Sequence, residues 1–177
     1  MVTELRWLVG LENSMVTRYN FIEKNPHPQG LRTRDCVKRA CVLASGIDYH
    51  DIVVMLNRYK KVTGATKFNT NDNWRKFIVN VLGGRDQGNM QYINQGHRFQ
   101  VWEYAEKCKH KAILQVAGHL VAIDGKGHYL DTWDCGEKSI YKVYWLDDYE
   151  TIVAYIKKNH PKLCKGLSLD RYKIRIW

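Results

Sequence analysis

The spacing of apolar residues changes once along this chain, near Lys111, and that change restricts the fold more than any other feature. Before it, apolar side chains recur at helical intervals. Val37, Ala40, Cys41 and Ala44 fall at i, i+3, i+4 and i+7, with Asp35 placed as an N-cap and Gly46 as a stop. A second helix is predicted from Asp48, burying Ile52, Val53, Leu56 and Tyr59. A third carries Trp74, Phe77, Ile78, Val81 and Leu82, with caps in Thr70-Asn71-Asp72-Asn73 and Gly83-Gly84 at its end. Residues 84–97 read as a long polar loop, a candidate groove wall, and a fourth helix is expected over about 99–110.

After Lys111 the pattern is that of strands. Residues 112–116 and 119–123 are short β-type runs separated by Ala117-Gly118. Gly125-Lys126-Gly127 is a hairpin signal leading into residues 128–133, and residues 139–145 are rich in β-formers. A helix over 147–159 and a last strand over 172–177 complete the reading. Helices first and antiparallel strands after them make an α+β layout, not alternating βαβ units. The expectation is one domain over residues 1–177, helical to about 110 and β-rich beyond. Leu5, Trp7, Leu8 and Val9 suggest a short packed element near the start.

With 177 residues, 45% of them hydrophobic, the chain can bury a core, which excludes disorder as its main state. Its apolar runs, such as Ile52-Val53-Val54-Met55-Leu56, fall far short of the roughly 20 residues a membrane helix needs. Glu4, Arg6 and Glu12 break any signal-like apolar stretch, so a soluble, cytoplasmic protein with no membrane contact is expected. Lys and Arg total 28 against 18 Asp and Glu, a formal charge of +10. That excess predicts attraction to polyanions such as nucleic acid; a merely solvated basic surface is the plainer alternative.

Five cysteines, Cys36, Cys41, Cys108, Cys135 and Cys164, show no paired zinc-ligand spacing and no disulfide framework. His27, His50, His97, His110, His128 and His160 are scattered, so no metal and no cofactor is expected. Trp74, Trp102 and Trp145 read as core or stacking residues, and Cys108-Lys109-His110 as a helix end.

Two readings stand at Cys36. It is either a small buried residue opening a core helix or a nucleophile, because a first-turn cysteine feels the helix dipole and open N–H groups that favour a thiolate. Arg34 and Arg39 add positive charge nearby and Asp35 opposes it. His119 opens an apolar strand, and Asp131 lies beyond the next hairpin. An odd-length connection centred near Gly125 or Lys126 puts both on one sheet face, as a direct or diagonal pair; a two-residue turn puts them on opposite faces. A carboxylate beside an imidazole fixes its tautomer and supports its charged form, as a Cys–His pair requires.

The order of Asp35-Cys36-Val37-Lys38-Arg39-Ala40, then Gly118-His119-Leu120-Val121-Ala122-Ile123, then Asp131-Thr132-Trp133 resembles papain-like cysteine peptidases. It is also similar to small phage and bacterial proteins of papain-like type, with Tyr141-Lys142-Val143-Tyr144-Trp145 as the matching strand end. The resemblance implies a papain-like fold, N-terminal helices packed on a C-terminal antiparallel sheet. It implies a thiol hydrolase with Cys36 as nucleophile, His119 as general base and acid, Asp131 as the orienting residue and Trp133 shielding the His–Asp bond. A protein or peptide is the implied substrate; isopeptide, deamidation, transglutamination and cell-wall amide chemistry use the same triad. If phage-encoded, it would act in the host cytoplasm. Family enzymes place a Gln about six residues before the nucleophile to help hold the oxyanion. Here that position is Gly30, and Gln29 is either its substitute or a surface amide. Asp134 is a second candidate for the third member. The alternative of another class is a catalytically inactive basic phage protein on the same scaffold, binding nucleic acid or a host protein.

Overall fold

The computed structural model describes residues 18–65, 71–90 and 97–173. Its elements are β1 (Phe21–Glu23), α1 (Cys36–Ser45), α2 (Tyr49–Thr63), α3 (Asn71–Asn80), β2 (Arg85–Asn89), α4 (Val101–Lys107), β3 (Lys111–Val116), β4 (His119–Ile123), β5 (Tyr129–Asp131), β6 (Lys142–Leu146) and α5 (Tyr149–Asn159). The architecture is α+β. The expected packed element at Leu5–Val9 and most of the expected last strand lie outside the described residues.

The six strands form one open mixed sheet in the order β1-β5-β4-β3-β6-β2. All neighbours run antiparallel except β1, which runs parallel to β5. Two expectations are thereby corrected. The sheet is not wholly antiparallel, and it recruits β1 and β2 from the part of the chain read as helical. The segment 84–97 was expected to be loop, yet Arg85–Asn89 pairs with β6. Arg-Asp-Gln-Gly-Asn contains no strong β-former, so its extended form comes from the partner's open hydrogen-bonding edge.

Strand alternation splits the core into two layers. Ile113, Leu120, Ala122 and Tyr144 pack with Ala40, Cys41, Ile52, Phe77 and Ile156 of the helices. The alternate residues Leu114, Val116, Val121, Ile123, Tyr129 and Val143 pack with Val101 and Ala105 of α4. Each large buried aliphatic contributes roughly 1.5–3 kcal/mol, so α1 is fixed on β4 chiefly by this interdigitation. Along α2 the buried stripe takes Met55 where Val53 was expected; Val53 is only half-buried. The helix predicted over 99–110 is shorter, ending at Lys107.

Local signals set the ends of α1. Gly46 closes it in the left-handed region at φ 76°, its N–H bonded to the Val42 carbonyl. Asp35 occupies the N-cap position but makes no side-chain cap hydrogen bond. No described helix is long and apolar enough to cross a membrane.

Candidate active site

Register decides whether His119 and Asp131 can meet. Ala122 pairs with Leu130 and Ile123 with Tyr129, leaving residues 124–128 as an odd-length connection centred on Lys126. Continued by one residue, that register puts Asp131 opposite Val121, one diagonal step from His119 and on the same face. The connection is shaped by Asp124, whose carboxylate accepts from the N–H groups of Lys126 (2.7 Å) and His128 (3.0 Å). Gly125 passes so close to the backbone of His110 that a Cβ would lie 2.8 Å from its carbonyl carbon, and its φ of 71° suits glycine alone.

His119 Nε2 is hydrogen-bonded to Asp131 Oδ2. Asp131 is buried, and its other oxygen accepts from the Thr132 N–H at 2.7 Å. Its backbone carbonyl accepts from the Lys24 N–H at 2.7 Å, so β1 pins the residue from behind. With Nε2 occupied, Nδ1 is the nitrogen left to serve the neighbouring Cys36 thiol. The Trp133 ring lies beside His119, centroids 5.3 Å apart and tilted by 46°.

Cys36 sits half-buried in the first turn of α1. Burial by itself would raise its thiol pKa. The His119 hydrogen bond, the Leu120 N–H and the positive charge of His119 and Arg39 outweigh burial, and the thiol lies below its usual range. Burial opposes the charged form of His119 as well, yet Asp131 and Cys36 together hold its pKa up to about 9. At neutral pH these directions favour a thiolate beside an imidazolium. Because Asp35 caps nothing, the first-turn N–H groups of α1 are left without a side-chain acceptor from their own cap.

Asp35 is instead a link in a buried polar chain. It forms an ion pair with Arg39 one turn on, and accepts from the Tyr49 hydroxyl at 2.7 Å. Arg39 also donates to the Thr33 carbonyl (2.9 Å) and places a guanidinium nitrogen 4.0 Å from Asp131 Oδ1. Tyr49, Asp35, Arg39, Asp131 and His119 thus form one line of polar contacts from α2 to the imidazole beside Cys36. Sequence reasoning missed this line. The i,i+4 spacing of Asp35 and Arg39 is its one local signal, and it was overshadowed by the reading of Asp35 as a cap.

Cys135 was missed as well. Its thiol approaches Asp131 Oδ2 at 3.7 Å, and burial, reinforced by Asp131, keeps it protonated. His119, Asp131 and Cys135 bring a nitrogen, an oxygen and a sulfur within 4.8 Å of one another, a spacing a metal ion could use. In this structure the three are linked through Asp131 Oδ2, which is bonded to the His119 imidazole and approached by the Cys135 thiol.

Of the remaining expected residues, Trp74 lines the cleft beside Cys36 and His119, and the others fall elsewhere. Gln29 is exposed on a turn where its N–H donates to His27 Nδ1 at 3.2 Å, and its side chain is absent from the lining of the cleft. Asp134 does not approach His119. It accepts from the Tyr129 hydroxyl and from the N–H groups of Arg18 (3.0 Å) and Gly136 (2.9 Å), tying the N-terminal segment to the sheet. Trp74 is buried against Tyr144, Trp102 donates to Gln100 (2.7 Å), and Trp145 stacks on His110.

Cys36 and His119 open on a cleft of about 450 Å³ whose walls include Arg34, Trp74, Gln115, Gly118 and Trp133. Its lining draws on both core layers: Val37, Trp74 and Leu120 belong to one and Val116 to the other. No protein-family model matches this chain, and no curated protein or solved structure matches it either.

Proposed function

We propose that this chain is a compact papain-like thiol hydrolase that cleaves a peptide or related amide bond through Cys36, His119 and Asp131. The observation that carries the reading is the Asp131–His119 hydrogen bond with the half-buried Cys36 sulfur beside the imidazole, Cys36 and His119 both lining one open cleft.

In the proposed reaction the Cys36 thiolate attacks the carbonyl carbon and the carbonyl electrons move to oxygen. The uncapped first-turn N–H groups of α1 supply donors for that oxyanion, replacing the Gln that this sequence lacks at the family position. The His119 imidazolium donates its Nδ1 proton to the departing amine, and the carbon–nitrogen bond breaks. Neutral His119 then takes a proton from water, the resulting hydroxide attacks the thioester, and Cys36 leaves as thiolate with a carboxylic acid released. Asp131 holds the imidazole in place and favours its charged form throughout.

The test is release of coumarin from a pooled library of peptidyl coumarin amides. The reading expects release by the wild-type chain and none by Cys36→Ala or His119→Ala. Release that survives Cys36→Ala, or its absence from the wild type across the library, would overturn it.

A further inference from the structure

Three arginines lie between residues 32 and 39, and their fates differ. Arg32 is paired with Glu23 at 2.6 Å and is exposed away from the cleft. Arg39 is buried against Asp35. Arg34 is exposed, lines the cleft, and has no carboxylate within ion-pair distance among the described residues. None of the described residues lining the cleft is acidic, so nothing there competes for its guanidinium. Arg34 stands two residues before Cys36, which limits their Cα separation to about 7 Å. Trp133, also on the cleft wall, is 42% exposed and is the one exposed large apolar side chain of the described residues that lines this cleft. The Gln115 amide adds a neutral polar contact.

We propose that Arg34 is the specificity-determining residue of this cleft and selects an acyl donor bearing a carboxylate close to the bond that Cys36 attacks. The proposal rests on the thiol hydrolase reading, since it names that site's substrate class. A guanidinium recognises a carboxylate through paired N–H donors as well as through charge. The exposed Trp133 face then suits a flat or apolar group beside the acidic one. An acidic side chain in an otherwise ordinary peptide satisfies both.

Two alkylating agents of similar size test this at the sulfur itself. Iodoacetate carries a carboxylate next to its reactive carbon, and iodoacetamide carries a neutral amide there. In each case the Cys36 sulfur forms the new bond to carbon and iodide leaves. The quantity read is the ratio of their rates at Cys36, located by mass spectrometry, so changes in the thiolate fraction cancel. The ratio is expected to fall roughly fivefold in Arg34→Gln, the effect of one unit charge about 4 Å away in water, and further in Arg34→Glu. It is expected to shrink in 0.5 M salt and to keep its wild-type value in Arg32→Gln, which removes the same charge outside the cleft. A ratio unchanged by Arg34→Gln and Arg34→Glu, or lowered equally by Arg32→Gln, overturns the proposal. Measured at pH 9.5, where ordinary accessible thiols are ionised, the ratio is readable even if Cys36 proves to be an unactivated thiol. Failure of the hydrolase reading and failure of the Arg34 proposal are therefore distinguishable.

Discussion

Cys36 and Cys41 lie on one short helix, yet their surroundings push their thiols in opposite directions. Cys41 is fully buried in the helical core, and burial, with Cys36 nearby, raises its pKa far out of the physiological range. Cys36 pays a burial penalty too, but the strand facing it supplies the His119 imidazole and the Leu120 N–H, and the balance reverses. The helix also treats them differently, since Cys36 opens its first turn and Cys41 lies in its interior. In addition, the first turn of α1 faces polar groups of β4, whereas its middle packs on apolar side chains.

The sharpest way to test that contrast is substitution of each cysteine. Cys36→Ala is expected to abolish amide hydrolysis. Cys41→Ala is expected to leave it intact and to cost about 1 kcal/mol of stability in urea unfolding, the worth of one buried CH2-sized group. Activity lost equally in both would break the comparison. Next in size is Arg39→Met, which leaves the buried Asp35 without its cation and Asp131 with His119 alone. Breaking a buried pair of this kind costs about 3–5 kcal/mol, so a loss below 1 kcal/mol would show that the polar line contributes little to the fold.

A smaller but more specific effect concerns pH. Hydrolysis needs thiolate and imidazolium together, so its rate rises as Cys36 ionises below its ordinary range and falls as His119 loses its proton at about 9. Asp131→Ala removes the chief group holding the His119 pKa up, and the alkaline limb is expected to move down toward about 6.5. An alkaline limb that stays near 9 would show that Asp131 does not support the imidazolium. The smallest change is expected from Cys135→Ser, which keeps a donor near Asp131 Oδ2. Cys135→Val removes the donor and should shift the same limb more than serine does.

How much of this was legible in the sequence follows from where each partner sits along the chain. The limits of α1 were readable because Cys36 opens its apolar stripe and Gly46 stops it, both within a few residues. The β3–β4 hairpin was readable from its apolar runs and Ala117-Gly118. The shared face of His119 and Asp131 was readable only as a condition on the turn, and Asp124 together with Gly125 meets that condition. The parts that escaped depend on distant partners. β1 is three residues long and is extended only because β5 lies beside it. β2 has no β-forming composition and takes its form from β6. Asp35 has the local pattern of a cap, but its stronger partners are Arg39 and Tyr49, the latter on the next helix.

The most direct measurement is the pH dependence of iodoacetamide alkylation at Cys36 in the wild type and in His119→Ala. An unperturbed thiol titrates near about 8.5. Fast labelling well below that pH in the wild type, lost in His119→Ala, is the result this account predicts. Slow labelling with an ordinary profile near about 8.5 in both proteins would contradict it.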